Sequence, residues 1–333
     1  MTISIRDVAQ HAGVSVGTVS NVLNSPGKVS PPLHDRVLAS IELLGYVRND
    51  AARQLRAGRS STVGLVVLDV RNPFFTDVAR GAEDEAAAHG ISVILGNSDE
   101  DVERESAYLE LFEEQRVRGL LISPYGDVTD RLHRLRDRGI PAVLVDRVSS
   151  DLRISSVAVD DVAGGELAVA HLLDSGRRRL AFVGGPLDIR QVADRLDGAE
   201  RAIGASDAAL ETIPLASLTV LEGRRIGLEL AQRPAASRPD AVFAANDLVA
   251  MGLLQALVMQ RSIRVPDDIA IVGFDDIDFA SAAVVPLTSV RQPSQAIGRT
   301  AVQILLEEAS ADADLDPRQV LFQPELVVRE SSA

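Results

Sequence analysis

The sequence predicts a small all-α head followed by a larger α/β body that contains doubly wound parallel sheets. Three short amphipathic helical patterns occupy roughly the first 45 residues. From Thr62 onward, apolar β-rich runs alternate with helical stretches. The runs are continuously apolar, as is typical of strands buried on both faces of a parallel sheet. They are too numerous for one sheet, so we expect a second sheet to begin near residue 160.

The head begins with two helical patterns, residues 5–12 and 15–24, joined by a turn that contains Gly13. Ser4 and Ser15 precede them as candidate N-caps, and Ser4 also has the spacing of a capping box. The apolar face of the second pattern consists of Val19, Val22 and Leu23. Two short helices joined by a glycine turn match the helix-turn-helix pattern, although other helical proteins contain it too. DNA binding is therefore a hypothesis that the rest of the chain must decide.

A third helical pattern opens at Ser30-Pro31, where proline occupies its tolerated first position, and Gly45 ends it. Its predicted apolar stripe is Val37, Leu38, Ile41 and Leu44. The next segment, residues 49–61, has good helix formers but a single large apolar residue, Leu55. Because so short a helix is marginal in water, this segment is either a flexible linker or one that folds only against DNA and a partner copy.

Charge is distributed unevenly along the chain. The net charge is −14, which by itself argues against a nucleic-acid partner. Residues 1–60, however, hold seven Lys/Arg and four Asp/Glu, for a charge of +3, and the remainder holds 27 basic and 44 acidic residues, for −17. A basic head on an acidic body suits contact with phosphates through the head alone. The excess is small, so we expect two copies to be needed for firm binding.

Composition excludes several classes of protein. The chain has no cysteine, which rules out disulfides, cysteine nucleophiles and thiolate metal sites. Its first residues lack the basic and apolar regions of a secretory signal. The most apolar helical stretch, residues 248–259, is too short to cross a bilayer. We therefore expect a soluble, cytoplasmic protein with no membrane partner.

Motifs of enzymes are missing. The first predicted strand is followed by Asp69 and Val70 rather than by a G-x-G-x-x-G loop, and neither a Walker sequence nor G-x-S-x-G occurs. The five histidines have neither metal-ligand nor catalytic-triad spacing; they are His11, His34, His89, His133 and His171. We expect no catalytic activity, no cofactor and no metal.

In its short sequence segments, the chain resembles the LacI/GalR family of transcriptional regulators over essentially its whole length. The resemblance depends on the joint order and spacing of short segments, each of which is weak alone. They include Ile5-Arg6-Asp7-Val8-Ala9, Thr18-Val19-Ser20-Asn21-Val22-Leu23-Asn24, Asn72-Pro73-Phe74-Phe75, Val145-Asp146-Arg147, Ala244-Ala245-Asn246-Asp247 and Val272-Gly273-Phe274-Asp275-Asp276.

The resemblance implies a domain organisation and an assembly. It gives a helix-turn-helix DNA-binding domain over residues 1–48, a hinge helix and linker over 49–61, and a two-lobed body like that of periplasmic sugar-binding proteins over 62–333. The connections between lobes cross, so lobe 1 is expected at about 62–160 and 291–318, and lobe 2 at about 161–290 and 319–333. The family also implies a homodimer that reads a near-palindromic double-stranded operator, which agrees with the weak charge of one head.

By this resemblance, Val16, Gly17 and Asn21 match the positions that read base edges. The family often has alanine at position 17 and arginine or histidine at 21, so the preferred bases are expected to differ here. Leu55 matches the hinge leucine that wedges into the minor groove. Short hydroxyl side chains suit phosphate contacts, which position a protein without specifying sequence. The full set predicted to contact DNA is Ser4, Ser15, Val16, Gly17, Thr18, Ser20, Asn21, Asn24, Ala52, Leu55 and Arg56.

The resemblance also places a small-molecule effector between the lobes, at the ends of parallel strands. The residues predicted to bind it are Asn72, Phe74, Phe75, Ser123, Tyr125, Asp146, Arg147, Gln191, Arg195, Asn246, Asp275 and Gln292. Carboxylates such as Asp146 and Asp275 accept hydrogen bonds from hydroxyls, and Arg195 donates in a fork. A phenylalanine ring offers a stacking face. This chemistry suits a carbohydrate.

The sequence thus predicts a repressor whose operator affinity is controlled by a bound sugar. A purine or nucleoside effector is the alternative, because the aromatic residues suit either ligand. A solute-binding protein without a regulatory role is a second alternative, which the head and the missing signal peptide oppose.

Overall fold

The computed structural model describes residues 3–46, 60–260, 263–310 and 316–333, and its chain divides into two units, Met1–Ser60 and Ser61–Ala333. The predicted DNA contacts Ala52, Leu55 and Arg56 lie outside the described residues.

The first unit is the predicted three-helix head. Its elements are α1 (Ile5–His11), α2 (Val16–Asn24), a 3-10 turn (Pro26–Lys28) and α3 (Pro31–Leu44). The capping box forms as predicted, because Asp7 N donates to Ser4 Oγ and Ser4 N donates to the Asp7 carboxylate. Ser15 caps α2 by accepting from Thr18 N at 3.0 Å. Gly45 ends α3 in the left-handed region, at φ +62°.

Each head helix contributes to one small core. Val8, Val19 and Val37 come from α1, α2 and α3 respectively, and all three are fully buried. The predicted apolar stripe of α3 is wrong at one position: Leu38 is 43% exposed. In a 14-residue helix that buries only a narrow stripe, the neighbour of Val37 turns away from the core by about 100°.

The second unit contains the rest of the described elements. Its first half runs β1 (Thr62–Val67), α4 (Pro73–Ala88), β2 (Ser92–Asn97), α5 (Val102–Glu114), β3 (Leu120–Ile122), α6 (Thr129–Asp137), β4 (Ala142–Val145) and β5 (Ser155–Val159). Its second half runs α7 (Asp161–Asp174), β6 (Arg179–Gly184), α8 (Arg190–Gly204), β7 (Ala209–Pro214), α9 (Val220–Gln232), β8 (Ala241–Ala244), α10 (Asp247–Met259), β9 (Ala270–Asp275), α11 (Asp278–Ser281) and β10 (Thr288–Arg291). The chain then passes through α12 (Ser294–Ser310), β11 (Gln319–Phe322) and β12 (Glu325–Val327).

The strands form two six-stranded sheets, one in each lobe. The order in lobe 1 is β11-β5-β4-β3-β1-β2, and that in lobe 2 is β12-β10-β9-β8-β6-β7. All neighbours are parallel except β12, which runs antiparallel to β10. In each sheet the strand order reverses once, with helices on both faces, so both lobes are doubly wound. The chain passes between lobes after β5, after β10 and after β11.

The last crossing lies later than predicted. Residues 319–322 were assigned to lobe 2, but they form β11, which pairs in parallel with β5 of lobe 1. The side chains of Val320 and Phe322 pack on the main core, whereas Gln319 and Leu321 are exposed, so this edge strand buries one face only. Exposed and partly buried side chains alternate over only four residues, which is too short a pattern to identify a strand from the sequence. Strand β7, in a region without a clear sequence pattern, is a half-exposed edge strand of the same kind.

The lobes are built from helices that cross at glycines. In α7 and α8, Gly165 faces the carbonyl of Arg195 and Gly198 faces the carbonyl of Val162, each so closely that a Cβ atom would overlap it. The pairs α4–α12 and α9–α10 repeat this arrangement with two glycines each. The close approach of α7 and α8 brings Asp161 at the start of one helix within reach of Arg195 on the other. No helix among the residues that the structure describes is long and apolar enough to span a bilayer.

Replacing Gly198 by alanine tests this packing. The new methyl group must push α7 and α8 apart, and overpacking of this kind costs about 1–3 kcal/mol of unfolding free energy. Urea unfolding followed by circular dichroism measures the loss. Gly204→Ala in the same helix is the matched control, because nothing lies within 4 Å of its added Cβ. Equal stability of the two variants would contradict the proposed role of the crossing.

Candidate functional site

The surface of α2 presents most of the side chains predicted to contact DNA. Gly17, Asn21 and Asn24 are exposed, and Thr18 and Ser20 are half-buried. These are small or polar groups on the face opposite the head core. A helix face that carries only small or polar groups can approach base edges in a major groove.

Several of the residues predicted to contact DNA also have structural roles within the head. Ser4 and Ser15 cap helices, and Asn24 Nδ2 donates to the carbonyl of Ser20 at 2.8 Å. Val16 is partly buried against the head core. Their structural roles fix the position of α2, and contact of any of them with DNA stays a prediction.

Eight of the predicted effector residues line one compartment between the lobes. They are Asn72, Phe74, Phe75, Asp146, Gln191, Arg195, Asn246 and Asp275. They come from the ends of strands or the first two turns of helices in both lobes, near where the chain leaves a parallel sheet. We call this space the inner compartment.

A buried arginine organises the inner compartment. Arg195 Nε donates to Asp161 Oδ1 at 2.8 Å, and its Nη1 donates to the carbonyl of Ala245 at 2.7 Å. Its guanidinium carbon lies 3.7 Å from the centre of the Phe274 ring, in a cation–π contact. Asp275 Oδ1 is 4.0 Å from Nη2. The guanidinium is therefore held on its edges and on one face by lobe 2.

Among the described residues, side-chain hydrogen bonds join the two lobes across the cleft at two places. Asn72 Nδ2 of lobe 1 donates to Asp275 Oδ2 of lobe 2 at 2.9 Å. Gln191 Nε2 of lobe 2 donates to Asp146 of lobe 1, at 2.5 Å to the carbonyl oxygen and 3.0 Å to Oδ2. The lobes are thus joined by residues that were predicted to bind the effector.

The contact between Gln191 and Asp146 also divides the cleft. These two residues line the inner compartment and a second, larger space of about 1240 Å³, which includes open solvent. We call the second space the outer compartment. Arg147 lies there rather than in the inner compartment, with its Nη1 donating to the carbonyl of Gly126 at 3.1 Å.

Three predicted effector residues line neither compartment. Ser123 is fully buried. Tyr125 is partly buried against the main core, and its amide N donates to Glu105. The side chain of Gln292 lies behind Asp275 and donates to its Oδ1 at 2.7 Å. Gln292 therefore positions a cleft residue.

Sequence reasoning missed part of the lining. The residues concerned are Leu68, Asp69, Glu100, Ile189, Val192 and Leu218. Asp69 directly follows β1 and Glu100 closely follows β2, so the rule that ligands bind at the carboxyl ends of parallel strands could have found both. Leu218 comes from the region without a clear pattern. Asp161, the partner of Arg195, was also missed because nothing in the sequence pairs two positions 34 residues apart.

Burial raises the pKa of three aspartates at the cleft, Asp146, Asp161 and Asp275. Burial raises the pKa of Asp161 to about 6, although Arg195 acts in the opposite direction. Burial, reinforced by the charge of Asp161, raises the pKa of Asp146 well above its usual value. Burial also raises the pKa of Asp275. Asp146 and Asp275 have φ angles of +58° and +109°, a strained region for side-chain-bearing residues that is concentrated at functional sites.

An apolar surface of lobe 2 lies outside the cleft. It is formed by Val220, Leu248, Met251, Leu254, Gln255, Val258, Met259, Ile277, Phe279 and Val284. Within it, Met259, Phe279 and Val284 are strongly exposed, Val284 by 86%. Clustered exposed apolar side chains mark interaction surfaces. We call these residues the lobe 2 apolar face.

Comparison with known families agrees with this architecture. Residues 4–49 match the lacI family of bacterial regulatory proteins, and residues 169–332 match the periplasmic binding protein-like domain. The ribose operon repressor of Halalkalibacterium halodurans is 34% identical over 99% of this chain and 97% of its own. The HTH-type transcriptional repressor PurR of Aliivibrio fischeri is 32% identical over 98% of both chains. Because these relatives are repressors, the prediction that the chain is not an enzyme is confirmed.

Solved structures give the same result. The lac repressor dimer bound to operator and the anti-inducer ONPF superposes with a TM-score of 0.84, at 27% identity, over 100% of this chain and 99% of that one. A LacI family regulator from Enterococcus faecium with bound ribose gives a TM-score of 0.74, at 29% identity, over 82% and 98%. The predicted fold class and family resemblance are confirmed. The chain therefore belongs to the lacI family of bacterial regulatory proteins.

Proposed function

We propose that this protein is a cytoplasmic repressor whose affinity for operator DNA is controlled by a small sugar bound in the inner compartment. The observation that carries the proposal is the pair of cross-cleft contacts, Asn72 to Asp275 and Gln191 to Asp146. A ligand that hydrogen-bonds to these four side chains competes with the contacts that join the lobes. Binding therefore changes how firmly lobe 1 and lobe 2 are held together.

The packing of the Phe74 and Phe75 rings favours a sugar over a purine or nucleoside as the effector. Phe74 and Phe75 pack edge-to-face against each other, with centroids 5.0 Å apart, and are only 3% and 7% exposed. Little aromatic face is left for a nucleobase to stack on. Polar groups from both lobes surround the space instead, as a polyhydroxylated ligand requires. The ribose-bound regulator from Enterococcus faecium supports the same choice.

The DNA-binding part of the proposal involves α2 of two heads. One head has only modest basic charge, so two must act together, and a two-fold dimer matches a near-palindromic operator. Val16, Gly17 and Asn21 read bases in this proposal, and Leu55 enters the minor groove. Ser15, Thr18 and Ser20 contact phosphates, which gives affinity that falls as salt is added.

The lobe 2 apolar face is the surface that we assign to homodimerisation. Its occupant is a second copy of the chain, because the lac repressor structure that superposes on the full chain is a dimer. Burying exposed side chains such as Phe279 and Val284 removes apolar area from water on both copies at once.

Operator binding and sugar binding can be separated by removing residues 1–60. The full chain is expected to bind DNA from upstream of its own gene, and the right sugar is expected to change that affinity by about 5–150-fold, a typical allosteric coupling. Fluorescence anisotropy against a sugar panel measures both. The shortened chain should lose DNA binding and keep its thermal shift with the sugar. A sugar that binds tightly without changing operator affinity would favour a solute-binding protein.

Val284→Asp tests the dimer surface. A charge in the centre of a buried apolar interface is costly, so we expect dissociation to monomers and at least about tenfold weaker operator binding. Sedimentation velocity measures the assembly and circular dichroism checks the fold. Leu152→Asp is the control, since Leu152 is 77% exposed and lies outside the lobe 2 apolar face. The assignment fails if the Val284 variant stays dimeric.

Asp146→Asn should change the pH dependence of stability. Because burial raises the pKa of Asp146, the stability that its protonated form contributes is complete below the unfolded pKa of about 3.9 and is lost as pH rises through the higher native pKa. Asparagine does not titrate, so the variant should gain stability relative to the wild type as pH rises, by about 1.4 kcal/mol for each unit of pKa difference. Urea unfolding at about pH 5 and about pH 8 measures it. Asp207→Asn, at an exposed position, is the control. A difference in unfolding free energy between the Asp146 variant and the wild type that does not change with pH would contradict the argument.

A further inference from the structure

Two short segments of lobe 2 join the inner compartment to the lobe 2 apolar face. In the first segment, Asn246 lines the compartment and Leu248 belongs to the apolar face, with Asp247 between them. In the second segment, Asp275 lines the compartment and Ile277 belongs to the apolar face. One residue in each segment therefore separates the compartment where we place the effector from the surface where we place the partner copy.

The side chain of Asp247 links the two segments. It is fully buried at the start of α10. Its Oδ2 accepts a hydrogen bond from Ile277 N at 2.9 Å, and its Oδ1 accepts one from Ser289 Oγ at 2.6 Å. The same Ser289 Oγ accepts from Asp276 N at 3.0 Å. One carboxyl group thus holds the backbone that leads from β9 toward the apolar face, directly at Ile277 and through Ser289 at Asp276.

Asp247 is also in close contact with the strand that carries Asp275. Its Oδ1 lies against β9 at Gly273, where an added Cβ would be 2.1 Å away, so only glycine leaves room for the carboxyl group. Burial raises the pKa of Asp247 well above its usual value, and the negative charge of Asp275 raises it further. A change of position or charge at Asp275 therefore acts on the same carboxyl group that holds Ile277.

The turn between the two surfaces has little freedom to absorb a displacement. Asp275 and Asp276 have φ angles of +109° and +52°, which residues with side chains keep only when their surroundings hold them there. The carboxylate of Asp276 is paired with Arg291 and Arg329 of the same lobe. A shift of Asp275 is therefore passed along the chain to Ile277 rather than taken up within the turn.

We propose that Asp247 is a positioning residue that couples the inner compartment to the lobe 2 apolar face, so that effector binding and self-association change each other's affinity. The inference rests on the proposed function, from which it takes the effector site and the dimer surface. Asp247 lines neither of them and acts through Ile277 and Ser289. Coupling free energies are reciprocal, so a perturbation of the cleft must appear in the dimer dissociation constant.

A double-mutant cycle on the full chain tests the coupling without any ligand. Asn72→Ala removes the lobe 1 donor from Asp275. Ser289→Ala removes the hydroxyl group that Asp247 and Asp276 share. We expect Asn72→Ala to change the dimer dissociation constant at least about fivefold in the wild type, and less than about twofold in the Ser289→Ala background. Fluorescence-detected sedimentation velocity measures the constant, and circular dichroism checks the fold.

Thr288→Val is the matched control for Ser289→Ala. Thr288 is on the same strand and equally buried, but its hydroxyl donates to the carbonyl of Arg329 and accepts from Ser332 instead of contacting the turn. In this background Asn72→Ala should keep its full effect on the dimer dissociation constant. Loss of the effect in Thr288→Val as well would overturn the assigned route, and so would an Asn72→Ala variant with the wild-type constant.

Two substitutions test Asp247 itself. Asp247→Ala removes both acceptor oxygens, and the response of the dimer to Asn72→Ala should disappear. Asp247→Asn keeps an oxygen for Ile277 N and can donate to Ser289 Oγ, so the response should return. A full response in Asp247→Ala would overturn the proposal. If Asp247→Ala does not fold, the cycle with Ser289→Ala decides.

D-ribose provides the reciprocal test and separates this inference from the proposed function. Saturating D-ribose should change the dimer dissociation constant at least about fivefold in the wild type, and less than about twofold in Ser289→Ala. Ribose that binds and alters operator affinity without changing this constant would overturn the inference while the sugar-controlled repressor survives. If ribose does not bind but Asn72→Ala still acts through Ser289, the coupling stands and ribose is not the effector. A chain that is monomeric at every concentration would overturn the dimer assignment and the coupling together.

Discussion

The buried ion pair between Arg195 and Asp161 is the interaction on which the rest of the cleft depends. Two charges are held at 2.8 Å with both side chains more than nine-tenths buried. Breaking such a pair by removing one partner leaves an uncompensated charge, at a cost of about 3–5 kcal/mol. The pair exists because α7 and α8 cross at Gly165 and Gly198, where no Cβ holds them apart. Backbone packing far from any ligand therefore decides where the guanidinium lies, and its position fixes the field felt by Asp146 and Asp275.

In the proposed function, a ligand acts on the contacts between the lobes that lie in this field. Asn72 and Gln191 join the lobes through amide donors to the carboxyl groups of Asp275 and Asp146, so these contacts are hydrogen bonds rather than ion pairs. Ordinary hydrogen bonds contribute about 0.5–1.5 kcal/mol each, which a hydroxyl-bearing ligand can match. Two such bonds together, about 1–3 kcal/mol, lie in the range of a typical allosteric coupling energy.

The sequence predicted the parts of this arrangement that follow from local pattern. Continuous apolar runs identified the central strands, and the family resemblance assigned Asp146, Asn246 and Asp275, at the carboxyl ends of such strands, to the effector site. Pairing between distant segments could not be predicted in the same way. The partnership of Asp161 with Arg195 depends on a helix crossing, and β11 belongs to lobe 1 because Val320 and Phe322 find a core there. Ser123 and Tyr125 have suitable side chains just after a strand, yet Ser123 is fully buried and Tyr125 packs against the main core. Position at a strand end therefore does not decide whether a side chain lines the cleft.

Charge explains why sensing and DNA binding can share one chain. The body carries −17 and the first 60 residues carry +3, so non-specific attraction of the body to nucleic acid is suppressed while the head keeps a weak positive field. A weakly charged head gives weak non-specific binding, and its operator affinity must then come from base contacts and from the second head of the dimer.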